Sequence, residues 1–140
     1  MLAYAESSAV LAWLLQESSE AAVRQALAGA ERVVASTLTG VECTRALARG
    51  VNIGRLGSAG ERAAVQLLQV VSSSWVEIEM TGPVLDRARA RFPLEPVRTL
   101  DAIHLATAQL LGEVHGGVTL VSLDERIRAN GSALGLTIAP

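Results

Sequence analysis

The sequence predicts a single α/β domain, with a mostly parallel sheet of four to five strands and helices on both faces. Two observations lead there. Short apolar runs of strand length alternate with longer stretches of helical period along the chain. The 140 residues, half of them apolar, suffice for one buried core, so residues 1–140 read as one domain. No linker, internal repeat or low-complexity tract interrupts the alternation.

The elements follow in order. "LAYA" reads as a buried strand at 2–5, with Ser7 capping a helix from about Ser8 to Gln16 whose inner face carries Val10, Leu11, Leu14 and Leu15. A second helix over about 19–29 ends near Gly29. "RVVAS" at 32–36 is a strand, and a helix over roughly 39–50 follows it. The turn "GVNIGRLGSAG", with Gly at 50, 54, 57 and 60, separates that helix from another at about 59–72. "WVEIEM" alternates and reads as a strand at 75–79, then a helix near 83–91, then a loop bounded by Pro93 and Pro96. "TLDAIHLATAQLLG" is a strong helix, capped by Thr99 and stopped by Gly112. "VTLVS" at 118–122 is a strand, "DERIRANG" a short helix and "LTIA" a final strand.

Composition removes several classes of function. No apolar run approaches the ~20 residues of a membrane span, and no basic segment precedes an apolar one at the N-terminus, so a soluble, cytoplasmic protein is expected. The single cysteine, Cys43, excludes an internal disulfide and a thiolate metal cluster. All twelve basic residues are Arg, which excludes the lysine chemistry of P-loop NTPases and Schiff-base enzymes. A net charge of −2 argues against a broadly basic surface. The Gly-rich turn, Gly54-Arg-Leu-Gly57-Ser-Ala-Gly60, lacks dinucleotide-binding spacing and follows no strand. His104 and His115 lie eleven residues apart, not at the spacing of a helical zinc pair, and His104 reads as a packed or surface residue.

The acids carry the functional signal. Glu6 sits among apolar residues at the end of the first strand, where a carboxylate is costly to bury unless it is paired or bound. Glu42 and Asp101 fall in the first turns of two predicted helices, and Asp124 directly follows the fourth strand. In a parallel sheet the crossover helices begin at the carboxyl edge, where open α/β folds place ligands, so these four acids converge on one cleft. Each alone also fits a structural role. Thr39-x-x-Glu42 and Ser122-x-x-Glu125 match capping boxes, and Arg45 is spaced to pair Glu42 on the surface. Yet the chain has only three Asp, two of them at these helix starts, and Asp101 shares a face with Leu105 and Ala108. Gathered carboxylates repel unless a cation neutralises them. Oxygen ligands without Cys or paired His select Mg²⁺ or Mn²⁺, which points to phosphoester hydrolysis.

These residues resemble a known family. "YAESSAVLAWLLQE", "TLTGVECTRALAR", "RTLDAIHLATAQLLG" and "TLVSLDERIRANGSALGL" are similar, in order, to the acidic motifs of PIN-domain ribonucleases, in particular the VapC-like toxins of bacterial toxin–antitoxin systems. The resemblance spans residues 4–136, and its third motif is the most specific. It implies a PIN-like three-layer sandwich and Mg²⁺-dependent cleavage of RNA. It also implies a homodimer and silencing by a cognate antitoxin. The four acids of the family fall on Glu6, Glu42, Asp101 and Asp124, as catalytic and metal-holding residues, with Glu6 and Asp101 expected to hold Mg²⁺ most directly and Glu42 and Asp124 to complete the cluster and orient the attacking water. Ser7 and Ser122 take its polar positions, with Arg98 a candidate contact to substrate phosphate. Of the apolar residues around the Gly-rich turn (Val41, Leu47, Val51, Leu56, Val65 and Leu68) much is core and part is expected to form a groove for an antitoxin segment.

One position departs. The family normally has Asp where this chain has Glu6, and the extra methylene moves the carboxylate by ~1.5 Å. Errors of about 1 Å can cost ~100-fold in rate. Glu6 is compatible with a ligand on a longer arm, with attenuated chemistry or with an introduced substitution. The alternative expectation is therefore a catalytically weakened PIN-like protein that binds RNA or antitoxin. A small Mg²⁺-dependent phosphatase of another α/β fold is disfavoured by the missing D-x-D nucleophile motif.

Overall fold

The computed structural model describes residues 1–140. Five parallel strands, β1 (Leu2–Ala5), β2 (Arg32–Ser36), β3 (Val76–Ile78), β4 (Thr119–Val121) and β5 (Thr137–Ala139), form one sheet in the order β3-β2-β1-β4-β5. The helices are α1 (Ser7–Leu14), α2 (Glu20–Ala28), α3 (Thr37–Asn52), α4 (Ser58–Ser72), α5 (Gly82–Ala88), α6 (Thr99–His115) and α7 (Glu125–Ala133). The predicted α/β class and every predicted element are present.

Strand alternation divides the core into two layers. Ala3 and Ala5 of β1, with Val121 of β4, face α1–α4 and pack with Val10, Val23, Leu47 and Leu68. Tyr4 and Leu120 face the other way, onto Leu105 of α6 and Ile127 of α7. Small residues on β1 leave room for α1, and the place of β1 at the centre of the sheet sets its end and the start of α1 in the middle of the molecule. Gly131 of α7 has the same purpose on the far side. A Cβ there would come within 2.7 Å of Leu120 and 2.9 Å of Ile138.

Several element ends differ from expectation, and each difference is a matter of capping. Helix α1 stops at Leu14 rather than Gln16, because Gln16 turns left-handed at φ 54° and the Glu17 amide closes back on the Ala12 carbonyl at 2.9 Å. Glu6, not Ser7, caps its start. Helix α3 begins two residues earlier than predicted, because Ser36 caps it by accepting the Leu38 amide at 3.1 Å. Thr39 is thus no cap, and Glu42 lies in the second turn. Helix α6 has Arg98 rather than Thr99 at its cap position, and it runs past Gly112 to a left-handed Gly116 at φ 76°. Helix α7 is capped by Asp124, so the Ser122–Glu125 capping box does not form. Around the Gly-rich turn, Leu47 and Leu68 are core, whereas Val41 is 59 % exposed.

Candidate active site

All four predicted acids line one cleft of about 470 Å³ at the carboxyl edge of the sheet. They are held there by three hydrogen-bonded knots.

The first knot answers why a carboxylate is tolerated at Glu6. The side chain is only 4 % exposed, and the backbone turns from β1 into α1 at this residue. Both carboxylate oxygens accept the Ser8 amide at 3.1 Å. Oε2 also accepts the Ser8 hydroxyl and, at 2.7 Å, the Ser122 hydroxyl. The Ser8 oxygen in turn accepts the amides of Leu123 at 2.9 Å and Asp124 at 3.1 Å. The start of α1 and the turn after β4 are thereby stitched through one buried acid, with no buried side-chain polar atom left unpartnered.

The second knot surrounds Glu42. Its Oε1 accepts the Ser7 hydroxyl at 2.7 Å and lies 2.5 Å from His104 Nε2. His104 Nδ1 lies 2.7 Å from the Tyr4 hydroxyl, and both rings are fully buried between β1 and α6. Burial works to raise the Glu42 pKa, but the hydrogen bonds from His104 and Ser7 and the His104 charge outweigh it and hold the carboxyl below its ordinary value. Burial, with the nearby Glu6 charge, pushes the Tyr4 hydroxyl well above the usual phenol range. Cys43, behind Glu42, is pushed up to about 12 by burial and by the charges of Glu42 and Glu6, so its thiol is protonated and unreactive.

The third knot is charged. Arg98 Nε donates to Asp101 Oδ2 at 3.2 Å, and its Nη2 lies 3.8 Å from Asp124 Oδ2. Asp124 Oδ1 meanwhile caps α7 through the amides of Arg126 at 2.9 Å and Ile127 at 3.1 Å. The Arg98 side chain is 69 % exposed, so this cation sits over the acids from the solvent side. Arg45 does not pair with Glu42. It lines the cleft with Arg49.

The donor set suits a hard divalent ion. It is all carboxylate, and Glu42 Oε2 and Asp101 Oδ1 accept no hydrogen bond from the protein. No three acidic, His or Cys side chains stand close enough to enclose an ion by themselves.

The predicted site residues therefore assemble, with two qualifications. Ser7 and Ser122 spend their hydroxyls on carboxylates, and Ser122 is fully buried. Two participants were missed. Ser8 carried no signal beyond its place beside Glu6. His104 reads correctly as packed, but its bond to Glu42 joins residues 62 apart in the chain and has no local signature.

A sequence model of the PIN domain matches residues 3–132. The chain belongs to the PIN-domain family. Ribonuclease VapC46 of Mycobacterium tuberculosis is 35 % identical over 135 residues, covering 96 % of this chain and 94 % of that one. Ribonuclease VapC35 of the same species is 33 % identical over 107 residues, covering 76 % and 71 %. The crystal structure of the M. tuberculosis toxin VapC20, described as cleaving the sarcin–ricin loop, superposes with a TM-score of 0.70 over the full length of both chains at 18 % identity, a likeness of fold. The three-layer arrangement is thus the PIN fold, with the acidic cleft at its carboxyl edge.

Proposed function

We propose that this PIN domain is a Mg²⁺- or Mn²⁺-dependent endoribonuclease acting as the toxin of a toxin–antitoxin pair. The observation that carries the reading is the convergence of Glu6, Glu42, Asp101 and Asp124, from four separate segments, on one cleft. The ribonuclease names of the relatives that span most of the chain support it.

A divalent ion, when bound, would supply Lewis-acid stabilisation of charge on the phosphate oxygens and a more acidic water. Asp101 and Glu42, each with an oxygen that accepts no hydrogen bond from the protein, would hold it most directly in place of the expected Glu6, whose oxygens are occupied by donors, with Asp124 and Glu6 completing the negative field. The chain's own groups do the rest. Glu42, held ionised, orients the attacking water as a hydrogen-bond acceptor. Arg98 leaves its acids to meet the scissile phosphate, a bidentate match that guanidinium geometry favours. Arg45 and Arg49 extend positive charge along the same wall. The expected partners are RNA, a cognate antitoxin and a second copy of the chain. No helix is long and apolar enough to cross a membrane.

A second reading has its own support. Both Glu6 oxygens are occupied by donors, which favours attenuated chemistry with binding retained. One experiment separates the two: cleavage of a structured RNA across a Mg²⁺ titration, with EDTA controls, by the parent and Glu6→Asp. Metal-dependent cleavage by the parent supports the nuclease. An inactive parent restored by Glu6→Asp supports attenuation. Cleavage that survives thorough chelation overturns the metal mechanism.

A further inference from the structure

A fully buried polar pair occupies the interface between the central strand and α6, where an apolar pair would pack at no electrostatic cost. Tyr4 and His104 are both 0 % exposed, and they meet through the tyrosine hydroxyl and Nδ1 at 2.7 Å. The opposite ring nitrogen, Nε2, reaches Glu42 Oε1 at 2.5 Å and Ser7 Oγ at 3.1 Å. Glu42 Oε1 also accepts the Ser7 hydroxyl at 2.7 Å, whereas Oε2 accepts nothing from the protein. The Glu42 side chain, 24 % exposed, lines the cleft, with Ser7 beside it.

We infer that Tyr4, His104 and Ser7 form a buried positioning relay that clamps one oxygen of Glu42 and presents the other to the cleft. The logic rests on donor and acceptor capacity. An ionised carboxylate only accepts, so Nε2 must carry a proton whether the ring holds one proton or two. The Tyr4 hydroxyl serves in either case, donating to a bare Nδ1 or accepting from a protonated one, and so fixes the plane of the ring. Ser7 supplies the second donor to the same oxygen. With Oε1 saturated, the carboxylate has one rotational setting, and that setting leaves Oε2 toward the cleft. The relay draws on β1, α1, α3 and α6, which makes the orientation of Glu42 a property of the folded core. An outer partner of this kind orients a ligand, as in other metal sites, and its loss typically costs about 10–100-fold in metal affinity or activity.

The inference rests on the nuclease reading for its consequence, so the experiment has one arm that needs no activity. In metal-free protein, ¹⁵N NMR of the His104 ring should show a proton on Nε2, slow to exchange. A bare Nε2 overturns the relay. In cleavage assays, His104→Leu should fall by about 10–100-fold with a higher Mg²⁺ midpoint. His104→Gln keeps a donor near the Nε2 position and should recover much of that loss at a similar melting temperature. Leu and Gln variants that both cleave at the parent rate, or that are equally impaired while folded, overturn the proposal. Should His104→Leu fail to fold, Tyr4→Phe decides. It removes one hydroxyl, and it should speed exchange of the Nε2 proton and lower kcat more than it changes KM. A Tyr4→Phe protein identical to the parent in both respects overturns the relay. A parent that cleaves no RNA refutes the nuclease reading and leaves the NMR result standing.

Discussion

The two ends of the parallel sheet present contrasting hollows. At the carboxyl edge lies the acidic cleft of about 470 Å³, its walls tied by hydrogen bonds between side chains from four segments. At the amino edge lies a larger hollow of about 910 Å³, between the ends of α2 and α4 and the starts of β2 and β3. There the principal groups are aromatic. Trp13 and Trp75 have ring centroids 6.4 Å apart, and the Arg24 guanidinium lies 5.9 Å from the Trp13 ring. The difference teaches that volume does not locate chemistry. Helices start at the carboxyl edge, so their unpaired amides and positive ends attract carboxylates and hydroxyls: Glu6, Ser36 and Asp124 all cap helices there. The amino edge receives helix ends and strand starts, and its hollow is lined mostly by apolar side chains.

The contrast predicts that the two ends fail differently. The largest expected effect is on chemistry. Asp101→Asn should lower metal-dependent cleavage by about 100-fold or more while shifting the melting temperature little. Nearly unchanged cleavage with a clear loss of stability would make Asp101 a structural residue. Next comes Trp75→Ala at the other end. It should cost about 1–3 kcal/mol in urea denaturation, as partly buried aromatic surface is lost, with cleavage per folded molecule unchanged. A large fall in cleavage from that substitution would mean that the ends are coupled.

A third, smaller effect is in pH dependence. The folded-state pKa of Glu42 lies below its ordinary value of 4.5, so its contribution to stability is complete above that value and is lost as pH falls through the folded pKa. Glu95, hydrogen-bonded to the Phe92 and Val97 amides, and Glu113, hydrogen-bonded to Arg87, act in the same direction. Glu42→Gln should therefore lose less stability than the parent as pH falls below about 4.5. An equal loss would remove Glu42 from the account of acid stability. The smallest effect belongs to Arg24→Ala at the amino edge. It breaks an exposed ion pair with Glu20 and the contact over Trp13, for about 1 kcal/mol or less.

How far the sequence reveals this molecule depends on the range of the interactions. The order of strands and helices was legible because apolar periodicity is local and each element repeats it several times. The positions of Glu6, Asp101 and Asp124 beside strand ends and helix starts were legible for the same reason. Caps were read less well. Thr39 competes with Ser36, and Ser122 with Asp124, and each hydroxyl rejected as a cap is used elsewhere: Thr39 donates to the Ala5 carbonyl at 3.3 Å and Ser122 to Glu6. The knots themselves were illegible. Ser8 reaches across to Leu123 and Asp124, and Tyr4 reaches His104, through folding that no spacing rule records.

The proposed nuclease requires the carboxyl-edge acids to hold a hard divalent ion. The most direct measurement is Mn²⁺ binding, followed by electron paramagnetic resonance, to parent and Asp101→Asn protein with matched circular dichroism. The account predicts saturable binding by the parent, displaced by excess Mg²⁺ and strongly weakened in Asp101→Asn. Equal binding by the two proteins, or none by the parent, would contradict it.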